Sequence, residues 1–346
     1  MQEFRIPPAG NAELAGRLKH KIDCKTKPLG SLGMLETLGL RIGLMQGTEA
    51  PHIHKPHLLV FAGDHGVAAE GVSAYPQEVT WQMVMNYLAG GAAVNVFARA
   101  HGLDLDVVDA GVNHVFAPQP KLLDRKIAMG TKNFTQEPAM SLAQCEAAIE
   151  AGARLVRGLN LLGCNLIAFG EMGIANTTAA AALMARYTGY AAQTCVGRGT
   201  GVDEAGLTRK HEAVRKALIL HRAAVTPLEA LAALGGFEIA MMAGAMLAAA
   251  EARMLLLIDG FIVGSALLAA QALNPGVLAY CVFAHQSEEQ GHVAMLNYFH
   301  AEPLLRLNMR LGEGTGAALA LPLVRAACDF INQMASFESA GVADKA

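Results

Sequence analysis

The chain has 346 residues, of which 53% are hydrophobic and 16% are charged, and its formal net charge is −3. Lysine and arginine are scattered along the chain, so no basic face of the kind that binds nucleic acid is predicted. The longest apolar stretches, residues 239–250 and 260–273, are shorter than the roughly 18–20 residues that a membrane-spanning helix needs, and no membrane span is expected.

The N-terminal residues, MQEFR, contain no hydrophobic signal core, so the sequence predicts no export. The six cysteines lie far apart and form no CxxC pair. This usage is typical of a reducing compartment and indicates neither disulfides nor a zinc site. We therefore predict a cytoplasmic protein without a bound metal.

The first part of the chain, residues 11–50, has the leucine spacing of helices, with Asn11 as a possible N-cap. Residues 51–56 form a linker with His52 and His54. These histidines could bind a metal, but a solvated linker is the better interpretation.

From residue 57 onward, short apolar runs that end near glycine alternate with helical segments. This alternation predicts an α/β fold, a doubly wound and mostly parallel sheet flanked by helices. The five predicted strands are residues 57–63, 105–111, 166–170, 254–258 and 278–284. Residues 114–140 are rich in turn residues and are predicted to lie at the surface.

Acidic or small polar residues follow these runs, and in a parallel sheet they would meet at one edge. Each one alone could be a helix cap, but several together favour a crevice for a polar ligand. The residues are Asp64, Asp109, Glu171, Asp259 and Ser287.

The segment GEMGIANTT, residues 170–178, is the best candidate for a phosphate site. It joins a strand to a helix, where free backbone N–H groups and the helix dipole favour an anion. An ordinary capped helix start is the alternative. The segment fits neither GxGxxG nor the P-loop pattern. The loop GRGTG, residues 197–201, is a second candidate, and Lys210 on the helix after it could reach a phosphate.

Glu313 is surrounded by glycines in the segment LGEGTGA, residues 311–317, and an apolar run follows it. Glycines let a ligand or another backbone approach closely. Burial there would raise the pKa of the Glu313 carboxyl group, which suits a general base near neutral pH. The alternative is a flexible turn with Glu313 in water.

These motifs together resemble the family of nicotinate-nucleotide–dimethylbenzimidazole phosphoribosyltransferases. The matching segments follow the family order and cover nearly the whole chain. They are KPLGSLG (27–33), GDHGV (63–67), GVSAYPQEVT (71–80), GGAAVN (90–95), GEMGIANTT (170–178), GTG (199–201), DGF (259–261) and RLGEGTG (310–316).

The resemblance implies transfer of 5-phosphoribosyl from nicotinate mononucleotide to 5,6-dimethylbenzimidazole, which gives α-ribazole 5′-phosphate and nicotinate with inversion at the anomeric carbon. It also implies a homodimer that needs no cofactor. Residues 57–300 would form the large α/β catalytic domain, and residues 1–50 with 301–346 a small helical domain. The preferred base is left open among benzimidazoles, adenine and phenolics.

The family's catalytic base falls on Glu313, and its second carboxylate falls on Glu171. The family's phosphate-binding positions fall on Gly173, Ile174, Ala175, Asn176, Thr177, Thr178, Gly201, Lys210 and Ser287. The base-binding positions fall on Ser73, Tyr75, Gln82 and Leu311.

Four positions depart from the family pattern. Ala175 stands where glycine is frequent, Gln286 and Gln290 replace Arg and Pro, and Glu204 replaces Asp. These changes affect the expected phosphate site and dimer packing but leave Glu171 and Glu313 in place. The alternative function is a non-catalytic carrier or sensor that binds a nucleotide or azole, against which the intact Glu313 loop argues.

Overall fold

The structure is a computed structural model and describes residues 3–199 and 201–343. Its strands are β1 His57–Gly63, β2 Asp104–Gly111, β3 Leu122–Asp124, β4 Leu166–Met172, β5 Leu255–Ile258 and β6 Cys281–Phe283. The helices are α1 Ala12–Asp23, α2 Met34–Gln46, α3 Val79–Ala89, α4 Ala93–Ala100, α5 Leu142–Leu161, α6 Asn176–Thr188, α7 Ala192–Cys195, α8 Glu204–Leu220, α9 Pro227–Leu234, α10 Phe237–Glu251, α11 Phe261–Leu273, α12 Gln290–Tyr298, α13 Thr315–Gln333 and α14 Phe337–Ala340. Short 3₁₀ helices cover Gly66–Glu70 and Pro275–Tyr280.

The six strands form one sheet in the order β3-β2-β1-β4-β5-β6, and every neighbouring pair is parallel. The chain builds outward from β1 to β3, then returns to β4 on the other side of β1. The winding direction therefore reverses between β1 and β4, and such reversal points are where open α/β sheets bind ligands. The predicted fold class, a doubly wound parallel sheet flanked by helices, is confirmed.

Two details of the predicted strands are wrong. Strand β3 lies within residues 114–140, which the sequence predicted as surface turns; it has only three residues at the sheet edge, too few to show a periodic pattern. Strand β6 begins at Cys281, because Pro275 and the residues after it form a 3₁₀ helix up to Tyr280.

The sheet is the centre of the hydrophobic core. In β1, residues 58–62 are fully buried, and α10 is buried along nearly its whole length. Helix α10 packs against β1, β2, β4 and β5, while α3 packs against β1, β2 and β4. Within the described part of the chain, no helix combines the length and apolar character needed to cross a membrane.

The two ends of the chain lie side by side. Helix α2 packs against both α1 and α13, and the Thr26 N–H donates a hydrogen bond to the Ala335 carbonyl at 3.1 Å. Helix α13 also contacts β4 and α4. The division into a large and a small domain stays a prediction, and residues 1, 2 and 344–346 of the small part lie outside the described residues.

Helices α5 and α10 approach each other through two glycines. A Cβ atom on Gly152 would lie 1.9 Å from the Met241 carbonyl oxygen, and one on Gly244 would lie 1.9 Å from the Ile149 carbonyl oxygen. Both contacts are to backbone, which cannot move away as a flexible side chain can. The two helices therefore pack closely because neither glycine carries a side chain.

We predict that Gly152→Ala lowers the free energy of unfolding by about 1–3 kcal/mol or more, because overpacking forces the helices apart. Gly158→Ala on the same helix is the matched control, since the Cβ of an alanine there would meet nothing within 4 Å. The control should gain up to about 1 kcal/mol from helix propensity. Urea unfolding of both variants measures the difference, and equal stabilities would contradict the close packing.

Candidate active site

A cavity of about 420 Å³ opens at the carboxyl ends of β4 and β5, beside the point where the sheet reverses its winding. Its volume lies within the range of small-molecule sites. Residues from distant parts of the sequence form its wall. They are Tyr75, Val79, Met83, 171–174, Asn176, Thr177, Gly199, 259–263, Ser287, Glu289 and 310–313.

The predicted crevice contains only some of the polar residues at the strand ends. Glu171, Asp259 and Ser287 line the cavity. Asp64 and Asp109 do not, so the prediction that all five share one crevice is wrong. Two different segments hold them: Asp64 Oδ2 accepts from the Asn113 N–H at 2.8 Å, just after β2, and Asp109 pairs with Lys126 at 2.8 Å, just after β3.

Glu313 lies in a loop with an unusual backbone conformation. Three successive residues have positive φ: Gly312 at 78°, Glu313 at 65° and Gly314 at 87°. This region is accessible to glycine but costly for a glutamate. The loop also contacts β4 directly, since a Cβ on Gly170 would lie 2.2 Å from the Glu313 carbonyl oxygen. The Glu313 side chain is buried. The alternative of a flexible turn, which requires a solvated Glu313, is therefore wrong.

The carboxyl group of Glu171 contacts the backbone of the Glu313 loop. Glu171 Oε1 accepts a hydrogen bond from the Glu313 N–H at 3.3 Å, and Oε2 accepts from Asn176 Nδ2 at 2.5 Å. Glu171 lies at the end of β4, and Asn176 is the first residue of α6. One buried carboxyl group therefore joins the two loops that the sequence singled out.

Burial raises the pKa values of both glutamates. Desolvation raises the pKa of Glu171 to about 8, and the nearby charges of Asp259 and Glu313 add to the rise, although the hydrogen bonds from Glu313 and Asn176 oppose it. The pKa of Glu313 is also raised, first by burial and then by the charge of Asp259. The buried Tyr87 hydroxyl lies near Glu313 and opposes this rise in pKa. It forms no hydrogen bond of ordinary geometry with any described residue. The pair is thus suited to hold one proton near neutral pH.

The start of α6 forms the second end of the cavity. Its N-cap residue, Ala175, has φ +75° and provides no side-chain cap, and Ile174 donates its N–H to Thr80 Oγ1 at 3.1 Å. Asn176 and Thr177 line the cavity, whereas Thr178 is fully buried behind them. The N–H groups of Asn176 and Thr178 donate to the Gly173 and Ala175 carbonyl oxygens at 3.0 Å. The helix dipole at a start without a side-chain cap nevertheless favours an anion. Ala175 adopts the left-handed conformation for which glycine is the usual choice.

Lys210 lies behind the cavity wall at this end, next to Thr177, and is not itself a lining residue. Its side chain is 1% exposed, and Nζ donates to Thr177 Oγ1 at 2.9 Å. Burial lowers the pKa of Lys210 to about 8, and the charge of Glu289 opposes this shift. A buried ammonium group whose hydrogen-bond acceptor is a neutral hydroxyl gains from further negative charge nearby. An anion beside Thr177 would add to the charge that Glu289 already provides.

The loop after β6 closes this side of the cavity. Ser287 accepts a bond from the Glu289 N–H at 3.2 Å, and the Glu289 carboxylate accepts from the Gly199 N–H at 3.1 Å. Gly201 is exposed, with φ +103°, and lies away from the cavity wall. Thr200, which belongs to the predicted glycine loop of residues 197–201, lies outside the described residues.

The predicted base-binding residues fall into two groups. Tyr75 and Leu311 line the cavity. Ser73 and Gln82 do not: Ser73 Oγ accepts from the Tyr75 N–H at 3.2 Å, and Gln82 is exposed on α3. The roles of all four residues stay predictions.

Sequence reasoning missed several residues of the cavity wall. Phe261, Ile262 and Val263 form the first turn of α11 directly after β5, a position that the rule of ligand binding at strand ends could have identified. Tyr87 lies in α3 outside the cavity wall and comes near Glu313 only in the folded chain, so no sequence signal marks it.

Comparison with known proteins agrees with this geometry. A family model described as a phosphoribosyltransferase matches residues 7–342. The nicotinate-nucleotide–dimethylbenzimidazole phosphoribosyltransferase of Aromatoleum aromaticum is 59% identical over 332 residues, which is 96% of each chain. The protein with the same name from Dechloromonas aromatica is 59% identical over 346 residues, which is 99% of each chain.

A solved structure shares the fold. The crystal structure of CobT from Thermus thermophilus has a TM-score of 0.94 and 45% sequence identity, covering 96% of this chain and 100% of that one. These likenesses extend over the whole sheet and the cavity at its edge. The chain therefore belongs to the family of nicotinate-nucleotide–dimethylbenzimidazole phosphoribosyltransferases.

Proposed function

We propose that this protein transfers the 5-phosphoribosyl group of nicotinate mononucleotide to 5,6-dimethylbenzimidazole. One azole nitrogen attacks C1′ of the ribose, and the bond from C1′ to the nicotinate nitrogen breaks with inversion. The electron pair of that bond neutralises the pyridinium nitrogen of the leaving nicotinate. The proton on the opposite azole nitrogen passes to Glu313. The products are α-ribazole 5′-phosphate and nicotinate.

The observation that carries this proposal is the chemical division of the cavity. One end holds Glu171 and Glu313, two buried carboxyl groups joined through the Glu313 N–H. The other end holds the start of α6, which has no side-chain cap, and behind it the Lys210 ammonium group bonds to Thr177, with the Glu289 carboxylate nearby. A phosphate monoester fits the cationic end, and a protonated azole nitrogen fits the end with a carboxylate acceptor.

The two glutamates have different tasks in this reaction. Glu313 is the base, and its raised pKa makes it a better proton acceptor than an ordinary carboxylate, provided that it is ionised when substrate binds. Glu171, with a pKa of about 8, is mainly protonated at neutral pH and so adds little repulsion. Its hydrogen bonds to the Glu313 N–H and to Asn176 align the two ends of the cavity.

The homodimer and the cytoplasmic location are also proposed. The homodimer rests on the family resemblance and can be checked by sedimentation of the purified protein. All six cysteines are free thiols in the structure, which supports a reducing compartment.

We predict that Glu313→Gln lowers kcat by about 10²–10⁴, because the azole proton loses its acceptor. Binding of nicotinate mononucleotide, measured by calorimetry, should be unchanged. Glu288→Gln is the matched control, since Glu288 is exposed on the nearby loop after β6. Release of nicotinate, followed by chromatography, measures turnover. Full activity of the Glu313 variant would refute the assignment of the base, and a wild-type protein that binds both substrates without releasing nicotinate would be a carrier or sensor.

Glu171→Gln should be much milder than Glu313→Gln near pH 7. The amide resembles the protonated acid that Glu171 already forms there, and Asn176 can turn its own amide to accept the new N–H. In both the wild type and this variant, kcat should fall as the pH falls through the raised pKa of Glu313, above the ordinary carboxyl value of about 4.3. A rate profile over pH measures this, and loss of the acidic limb in the variant would assign the limb to Glu171 instead.

Lys210→Met should raise the KM for nicotinate mononucleotide by about 10- to 100-fold, because a hydrogen bond to a charged group contributes about 1.5–3 kcal/mol. Lys216→Met, an exposed residue on the same helix, is the control and should leave the KM unchanged. Initial-rate measurements with varied donor test this. An unchanged KM in the Lys210 variant would separate this residue from the phosphate site.

A further inference from the structure

Asp259 is a third buried carboxylate in the cavity, and the reaction as described assigns it no task. It follows β5 directly, is 1% exposed and lines the cavity. Both of its oxygens face the start of α13. Oδ2 accepts from the Gly314 N–H at 3.2 Å, and Oδ1 accepts from the Ala317 N–H at 2.9 Å. Asp259 therefore caps the helix that begins immediately after the Glu313 loop.

Helix α13 needs such a cap from outside its own segment. Its N-cap is Gly314, which has no side chain to offer. The free N–H groups and the helix dipole at this end attract a negative charge, and a capping side chain typically contributes about 0.5–2 kcal/mol. Asp259 supplies this charge from the end of β5, across 58 residues of sequence.

The strained loop gives this cap its importance. A non-glycine residue with positive φ, such as Glu313, costs of order 1–3 kcal/mol and persists only where its surroundings fix it. Glu171 holds the Glu313 N–H, and Asp259 holds the N–H groups of Gly314 and Ala317. The base thus lies between two anchored stretches of backbone.

His285 supports Asp259 from behind. Its Nε2 lies 3.6 Å from Asp259 Oδ1, and its ring packs where a Cβ on Gly316 would come within 2.0 Å. The absence of a side chain on Gly316 therefore leaves room for the ring against the first turn of α13. The His285 ring therefore packs beside both the Asp259 carboxylate and the first turn of α13.

We infer that Asp259 is a positioning residue, which sets the place of the Glu313 carboxylate by capping α13. The inference rests on the proposed function, because only there does Glu313 act as the base. Since Asp259 also lines the cavity, direct contact with the donor is the competing role, and the two roles predict different kinetics.

The test uses Asp259→Asn in the full-length protein. Asparagine keeps one acceptor oxygen but turns an amide N–H towards the second backbone N–H. Asp109→Asn is the matched control, because Asp109 is also a buried acid near the end of a strand but lies away from the cavity. We expect kcat to fall by about 10- to 100-fold, as a base displaced by about 1 Å would cause. The KM for nicotinate mononucleotide should not change.

Hydrogen–deuterium exchange provides a readout that does not depend on activity. The peptide that covers residues 310–320 should exchange faster in Asp259→Asn, whereas the peptide at the start of α6 should not. A raised KM with unchanged kcat would make Asp259 a donor contact and overturn the inference, and so would unchanged exchange. If the wild type released no nicotinate, the proposed function would fail, while the exchange result would still show whether Asp259 holds the loop.

Discussion

The hydrogen bond from the Glu313 N–H to the Glu171 carboxyl group is the interaction on which the arrangement of the site depends. It joins the end of β4 to the loop before α13, two segments that lie far apart in the sequence. The same carboxyl group also holds Asn176 at the start of α6. Because one oxygen of Glu171 binds the Glu313 loop and the other binds Asn176, the proposed proton acceptor and the proposed anion site are both held from the same residue of the central sheet.

The cavity shows how helix starts can be used in two ways. The start of α13 is already occupied by the carboxylate of Asp259, whereas the start of α6 is open and has the buried Lys210 close by. In the proposed reaction, an incoming anion would therefore bind near α6 and away from Glu313. The two ends differ in this way although each lies where a helix begins after a tight loop.

Much of this was available from the sequence, because the strands of a parallel sheet are continuous apolar runs with clear ends. The positions of β1, β2, β4 and β5 and the loop before α6 could be recognised for that reason, whereas Glu313 stood out by the glycines around it. The side-chain partners could not: Asp64 and Asp109 look like Asp259 in sequence, yet Asp64 binds Asn113 after β2 and Asp109 binds Lys126 after β3. Tyr87 was also hidden, since a tyrosine within an apolar helix gives no sign of the carboxylate that it approaches.

The packing of α13 against α2 has a consequence for how the chain becomes functional during synthesis. A Cβ on Gly39 in α2 would lie 2.7 Å from the Ala327 carbonyl oxygen, so the two helices fit together backbone to backbone. Helix α2, which leaves the ribosome early, can therefore complete its packing only after α13 has been synthesised. Glu313 lies in the loop directly before α13. Closing so long a loop is slow compared with local helix formation. A nascent chain would have a nearly complete sheet, but Glu313, the proposed proton acceptor, would not be in place until α13 had docked.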